Sequence, residues 1–223
     1  MRQRRVTALP VRGPKLADEA YDLILDQLIT LKLPPGARIT VDELARQFGI
    51  SQTPIREALG RLKSDGLVTK THLIGYRVTP QWTREQFQQL YEIRLLLEPA
   101  AARLAAAKIS SQDAGSLERF VSDMEQAVSD EKRVNYGHFA LHDSEFHDRI
   151  ARASGNELIV DALSRLHAHM HIFRLYFHAW VTESAIAEHE AIVAAIVARN
   201  PDEAEHAMRS HIEESWNRLQ KGF

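Results

Sequence analysis

The chain of 223 residues is long enough for one large domain or two small ones, and its 44% hydrophobic content is ample for packed cores. It has no cysteine, which excludes disulfides and thiolate metal sites and leaves histidine and carboxylate as the only metal ligands on offer. The net charge of -2 hides a division: residues 1–80 carry 13 Lys and Arg against 8 Asp and Glu, a balance of +5, whereas the remainder stands at -7 and holds 10 of the 11 histidines.

Residues 1–15 hold arginines, prolines and a glycine without periodicity and read as a flexible basic arm. There is no apolar core like that of a signal peptide and no apolar run of membrane-spanning length, so an unsecreted, cytoplasmic protein is expected, with no membrane partner. From Leu16, apolar positions Ala20, Leu23, Ile24, Leu28 and Ile29 recur at helical spacing until Leu33-Pro34-Pro35-Gly36 stops the helix. A second helix, Val41 to Phe48, follows Thr40 as N-cap and ends at Gly49. A third begins at Ser51, with Pro54 in its first turn, and runs to about Ser64. Gly66-Leu67-Val68 then leads into Thr69 to Thr79, a β-prone stretch whose central Gly75 suits a two-stranded hairpin. Helix, helix, turn, helix, hairpin is the order of a winged helix-turn-helix over residues 16–80.

After Pro80 the composition changes. Six helical segments follow by apolar period: Thr83 to Lys108, Ser111 to Asp130, Val134 to Ser154, Glu157 to Trp180, Glu183 to Arg199 and Asp202 to Leu219. Ser110-Ser111, Gly155-Asn156, Val181-Thr182 and Asn200-Pro201 mark breaks between them. The expected fold is therefore mainly α: a winged helix-turn-helix followed by an antiparallel six-helix bundle over residues 81–223.

A helix that reads DNA needs short polar side chains at its start, a buried apolar stripe, and cations that reach phosphate. In the third helix Ser51, Gln52 and Thr53 are the first, Ile55, Leu59 and Leu62 the second, and Arg56, Arg61 and Lys63 the third. Gly75 lets the wing backbone approach a minor groove, with His72 and Arg77 beside it. Any amphipathic helix with three cations has this look, so the order of elements and the charge division carry the argument.

In the second half, Asp143 and His147 stand four apart and share one helix face. His189 and His211 lie on the core side of two helices that Asn200-Pro201 folds against one another. Three imidazoles and one carboxylate from three helices suit zinc, nickel or a similar divalent ion, although a lone interior histidine is more often a hydrogen-bonded core residue. His167, His169 and His171 alternate along one predicted helix and cannot all face one ion. Arg94, among Leu90, Ile93 and Leu97, and Arg174, among Ile172, Phe173 and Leu175, are guanidiniums beside apolar stripes and are candidate handles for an anionic effector. A salt bridge from Arg94 to Glu98 at i+4 competes with that reading. The same ligand set could activate water in a hydrolase or oxygenase, but Glu145 and Glu188, the available bases, point away from the other ligands.

The stretches Leu33-Pro34-Pro35-Gly36-Ala37-Arg38-Ile39, Glu43-Leu44-Ala45, Ser51 to Leu59, and Asp65-Gly66-Leu67-Val68 closely resemble the GntR superfamily of transcriptional regulators. Tyr91 to Pro99 resembles the opening of the ligand-binding domain of its FadR-type branch, and the six C-terminal helices look more like the VanR-type subgroup. The resemblance implies a homodimeric repressor on a palindromic operator of double-stranded DNA, and no enzyme. It puts Gln52, Thr53, Pro54 and Arg56 at the DNA and Gly75 in the wing. It also places Asp143, His147, His189 and His211 at metal-ligand positions of an all-helical effector domain, and implies a small carboxylic acid as effector. Asp42 departs from the pattern, lying where some relatives carry a DNA-touching arginine; Arg38 or Arg46 is the expected substitute.

Overall fold

The structure, a computed structural model, describes residues 13–71, 75–129, 136–175 and 180–223. Helix α1 (Gly13–Ile29) buries Ala17, Ala20, Tyr21, Ile24, Leu25, Leu28 and Ile29, the face its periodicity predicts except for Leu23, which is exposed while Tyr21 and Leu25 are buried. Strand β1 (Arg38–Ile39) precedes α2 (Val41–Phe48), which Gly49 closes in a left-handed conformation at φ 67 with its N–H on the Ala45 carbonyl. Helix α3 (Gln52–Ser64) packs Ile55, Ala58, Leu59 and Leu62 against α1. Strands β2 (Val68–Thr71) and β3 (Gly75–Val78) complete an antiparallel sheet of order β1-β3-β2, with Arg38 opposite Arg77 and Thr69 opposite Arg77 from the other side. The hairpin was legible in the sequence. The two-residue strand β1 was not, because two residues carry no alternation to detect.

Helix α4 (Arg84–Lys108) starts with a full capping box, Thr83 accepting from the Gln86 N–H while the Gln86 side chain accepts from the Thr83 N–H. It is followed by α5 (Ser111–Ser129), α6 (Tyr136–Ala153), α7 (Glu157–Ser164), α8 (Ala168–Leu175), α9 (Trp180–Val197) and α10 (Pro201–Leu219). Asn156 and Asn200 cap α7 and α10 with their side-chain oxygens. Helix α4 packs most extensively on α10, α5 on α6, and α9 on α5 and α10, which makes the second half the helical bundle expected.

Two boundaries differ from the sequence reading. The predicted helix 157–180 is broken into α7 and α8 at residues 165–167, where His167 takes φ 46, so the additional helix among the described residues arises from a split element. No glycine or proline marks that break; His167 is instead fixed by packing on Gly66 of the N-terminal half. Val181 and Thr182, read as a break, are the second and third residues of α9, so that helix starts three residues earlier than read. Helix α1 also packs on α6 and α8, seating the winged half against the bundle. No described helix is long and apolar enough to cross a membrane.

Candidate functional site

On the winged half, Ser51, Gln52, Thr53 and Arg56 are all exposed at the start of α3, and Arg56 donates to the Gln52 amide oxygen at 3.1 Å. Ser51 is the N-cap, extended at φ -66 and ψ 161, and with Gln52 and Thr53 it lies on the exposed side of the helix start. Lys63, Arg38 and Arg46 are exposed too, as is Asp42. Gly75 has φ 95 and open space around its Cα, a backbone geometry that favours glycine. Three expectations need correction or qualification. Pro54 is buried, so its ring packs inward and starts the helix without facing a base. Arg61 donates to Asp18 at 2.6 Å and lies 4.3 Å from the Tyr21 ring centroid, which ties it to α1. His72 lies outside the described residues.

In the bundle, Asp143 and His147 project from α6, His189 from α9 and His211 from α10, and each is buried. The ligand atoms of His147, His189 and His211 lie within 4.8 Å of one another. The Asp143 carboxylate approaches His189 Nε2 at 3.3 Å. Both ring nitrogens of His147 and of His189 are buried without a hydrogen-bond partner. Such orphans cost roughly 1–3 kcal/mol each when nothing satisfies them. Burial, with the neighbouring His211, holds His189 well below the usual histidine range, and burial likewise lowers His147 and His211. The imidazoles are therefore neutral at pH 7, the form that binds a metal. Burial alone would raise the Asp143 pKa, but His169, His189 and His147 together bring it far below the normal carboxylate range. The donor set and its protonation fit a divalent ion held by three neutral imidazoles with a carboxylate beside them.

Three further residues, which the sequence reading named but kept out of the ligand set, complete this cluster. His169 Nδ1 meets Asp143 Oδ2 at 2.5 Å and its ring stacks on His147 with centroids 4.3 Å apart. The break before α8 is what turns His169 inward, while His167 packs on Gly66 and His171 stacks on Trp82 at 4.1 Å. The three alternating histidines thus face three different partners, as their spacing required. Glu188, expected from the sequence to point away from the other ligands, instead accepts from His211 Nδ1 at 2.8 Å and from both terminal nitrogens of Arg218, which fixes the His211 ring. Glu98 lies 2.7 Å from His147 Nδ1, off the line a hydrogen bond needs, and forms a second group with His147 and His169. The first two meet partners 26 and 23 residues away in the chain, on other helices, so no local spacing in the sequence singled them out.

Of the candidate effector handles, Arg94 is buried and its Nε donates to Glu98 at 2.5 Å. The i+4 salt bridge is therefore the closed state, and the guanidinium sits behind the cluster without a vacant fork. Arg174 donates through Nη2 to the Thr79 carbonyl at 2.6 Å, at the junction of the two halves, while its Nε and Nη1 are buried and unpaired. Burial lowers it to about 10.

Residues 16–78 match the family described as bacterial regulatory proteins, gntR family, and residues 89–214 match the FCD domain. The chain is 32% identical to the Nta operon transcriptional regulator of Aminobacter aminovorans, over 83% of this chain and 85% of that one. It is 31% identical to a probable D-xylose utilization operon transcriptional repressor of Paenarthrobacter nicotinovorans, over 88% and 85%. Among solved structures its fold is similar to that of a putative GntR transcriptional regulator from Rhodococcus sp. RHA1, with a TM-score of 0.68 at 19% identity over 96% of this chain and 100% of that one. It is also similar to E. coli McbR/YncC, with a TM-score of 0.66 at 23% identity over 92% and 97%. These matches set aside the hydrolase alternative: the chain belongs to the GntR family of bacterial transcriptional regulators, with a DNA-binding winged domain and an FCD ligand-binding domain, and is not an enzyme.

Proposed function

We propose that this regulator is a homodimeric repressor that reads a palindromic operator and changes its operator affinity when a small carboxylic acid binds at a divalent ion, zinc or nickel, in the FCD domain. Gln52, Thr53 and Ser51 face the bases, Arg56 reaches base or phosphate, Lys63, Arg38 and Arg46 reach phosphates, and the wing at Gly75 lies in the minor groove. Asp143, His147, His189 and His211 would hold the ion, which would supply Lewis acidity to draw a carboxylate. Glu188 and His169 orient His211 and Asp143. The observation that supports this reading is the meeting of three buried, neutral imidazoles from three helices, two of them without any hydrogen-bond partner. A relative named as a probable D-xylose utilization operon transcriptional repressor fits a repressor that answers to a small organic compound. Elemental analysis of the purified protein, with footprinting of selected operator DNA in the presence and absence of carboxylic acids, tests it. The expected result is about one zinc or nickel per chain and a two-fold symmetric footprint whose strength a carboxylic acid alters; a protein that binds operator with no metal and no response to any acid would overturn the sensing half.

A further inference from the structure

A cavity of about 330 Å³ lies where the winged half meets the bundle, within the size range of small-molecule sites. Helix α1 lends it Tyr21, α3 lends Ser64 and its C-cap Asp65, and the bundle supplies the other walls. Four carboxylates line it, those of Asp65, Glu98, Glu145 and Asp148, and among the described residues no lysine or arginine does. Two of the four are already matched: Glu98 closes on Arg94, and Asp148 accepts from Arg152 at 2.7 Å. Asp65 instead accepts from the Tyr21 hydroxyl at 2.9 Å, and Glu145 lies 3.4 Å from the His142 imidazole. Burial lifts the Asp65 pKa above the ordinary carboxylate value, against the pull of the Tyr21 bond and of His167 and Arg61; a carboxylate short of nearby positive charge behaves in this way. His147, 6% exposed and with both ring nitrogens unpartnered, lines the same space, so the feature is a built recess and not a row of surface acids.

Such walls repel an anion and call for a cation larger than a metal ion. A water-sized body takes about 30 Å³, so a bare ion would leave most of the space empty, and Leu141, Leu163 and Met170 give the lining an apolar portion beside the acids. We propose that this interdomain cavity binds a small aliphatic diamine, one ammonium on Asp65 and the other on Glu145, with its methylene chain along Leu141, Leu163 and Met170. Each ammonium brings three donors, and a carboxylate takes them in charge-assisted hydrogen bonds. This ligand is opposite in charge to the carboxylic acid proposed for the metal and has its own carboxylate seats. The inference rests on the regulator reading only for its effect on DNA. Asp65 caps α3, so the diamine ties the recognition helix to the bundle, and its differential affinity for the seating that brings both carboxylates to one space is what operator affinity reports.

Calorimetry on the full-length protein at constant ionic strength compares putrescine with butanediol, which has the chain without the charge, and with Mg²⁺, which has the charge without the chain. Putrescine is expected to bind and the other two are not. Asp65→Asn, which keeps an acceptor for Tyr21, and Glu145→Gln, at an exposed side chain, should each weaken putrescine about tenfold, as loss of one charge-assisted hydrogen bond does. Asp123→Asn, which removes the same charge from an exposed position on α5, should leave the affinity unchanged. Putrescine should also shift operator affinity several-fold. Because any dication screens DNA phosphates, the shift that counts is the part lost in the double variant Asp65→Asn/Glu145→Gln. No putrescine binding, equal binding of butanediol or Mg²⁺, or equal weakening by Asp123→Asn overturns the site; binding without that operator shift overturns its link to α3. Should putrescine fail while a carboxylic acid still alters the footprint, this inference is wrong and the regulator reading stands. A protein that takes up putrescine through Asp65 and Glu145 but binds no operator keeps the site and loses the regulator reading.

Discussion

Arg94 and Glu98 stand one turn apart on α4, both almost wholly buried, and their ion pair backs onto His147. Burial alone would raise Glu98, but Arg94 and then His147 hold it well below the usual carboxylate range. Arg94→Met therefore leaves a buried carboxylate without its cation, a loss of about 3–5 kcal/mol. Urea unfolding should show that loss, and the double variant Arg94→Met/Glu98→Gln should regain much of it; an undiminished loss in the double variant would mean that Arg94 acts through packing instead. The sequence placed these two residues at i and i+4 but could not say whether the pair closes or Arg94 points at a ligand, because both outcomes use the same helix face. His171 makes a second case. Burial, with Arg174 and His167 nearby, pushes it down to about 4, below an unfolded value of about 6.5. The unfolded chain takes up the proton first, so this stability is complete above pH 6.5 and declines as pH falls toward 4. Between pH 6.5 and 5 the decline is on the order of 2 kcal/mol. His171→Phe, which keeps a ring against Trp82, should melt with a visibly smaller difference between those two pH values than the parent protein.

Elements end where local chemistry tells them to, except where the other half of the molecule intervenes. The asparagine caps at 156 and 200 were legible because each is a side chain acting within its own turn, whereas Thr83, read as the first helical residue, is the N-cap of a capping box. The break at 165–167 was not legible: no glycine or proline lies there, and His167, at φ 46, packs on Gly66, a hundred residues away in the chain. Gly66 has φ 72, and a Cβ there would meet the His167 ring at 2.7 Å; Gly75 has φ 95 with nothing near. Both positions carry the strain of a left-handed residue, of order 1 kcal/mol or more for alanine, but only Gly66 adds a clash. Gly66→Ala should therefore lower the melting temperature more than Gly75→Ala. Combining Gly66→Ala with His167→Ala should bring the interaction energy of the pair out as a non-additive recovery in a double-mutant cycle. Strict additivity would show that the two residues do not touch.

Across the whole molecule, the division of charge separated the winged half from the bundle without any structure, and the positions of Asp143, His147, His189 and His211 followed from helical period and the turn at Asn200-Pro201. What the sequence did not convey is how the halves meet: the seating of α1 on α6 and α8, His167 on Gly66, Arg174 on Thr79. Each depends on the angle between packed elements, which apolar period does not encode. That junction is where sensing has to become DNA binding, and linkage constrains how. An ion bound only by the folded cluster stabilises it by RT ln(1 + [M]/Kd), about 2.7 kcal/mol at a hundred times Kd. Chelation should thus lower the melting temperature by several degrees, and, where the ion also receives the effector, abolish the acid's influence on operator affinity while leaving operator binding itself in place. A purely structural ion would give the same fall in melting temperature with the acid response intact. Reciprocity supplies the closing check: whatever factor the acid changes operator affinity by, operator DNA must change the acid's affinity by the same factor. Calorimetric titration of acid into the free regulator and into its operator complex should return the ratio that footprinting gives, and unequal ratios would mean that the two ligands are not coupled through one two-state protein.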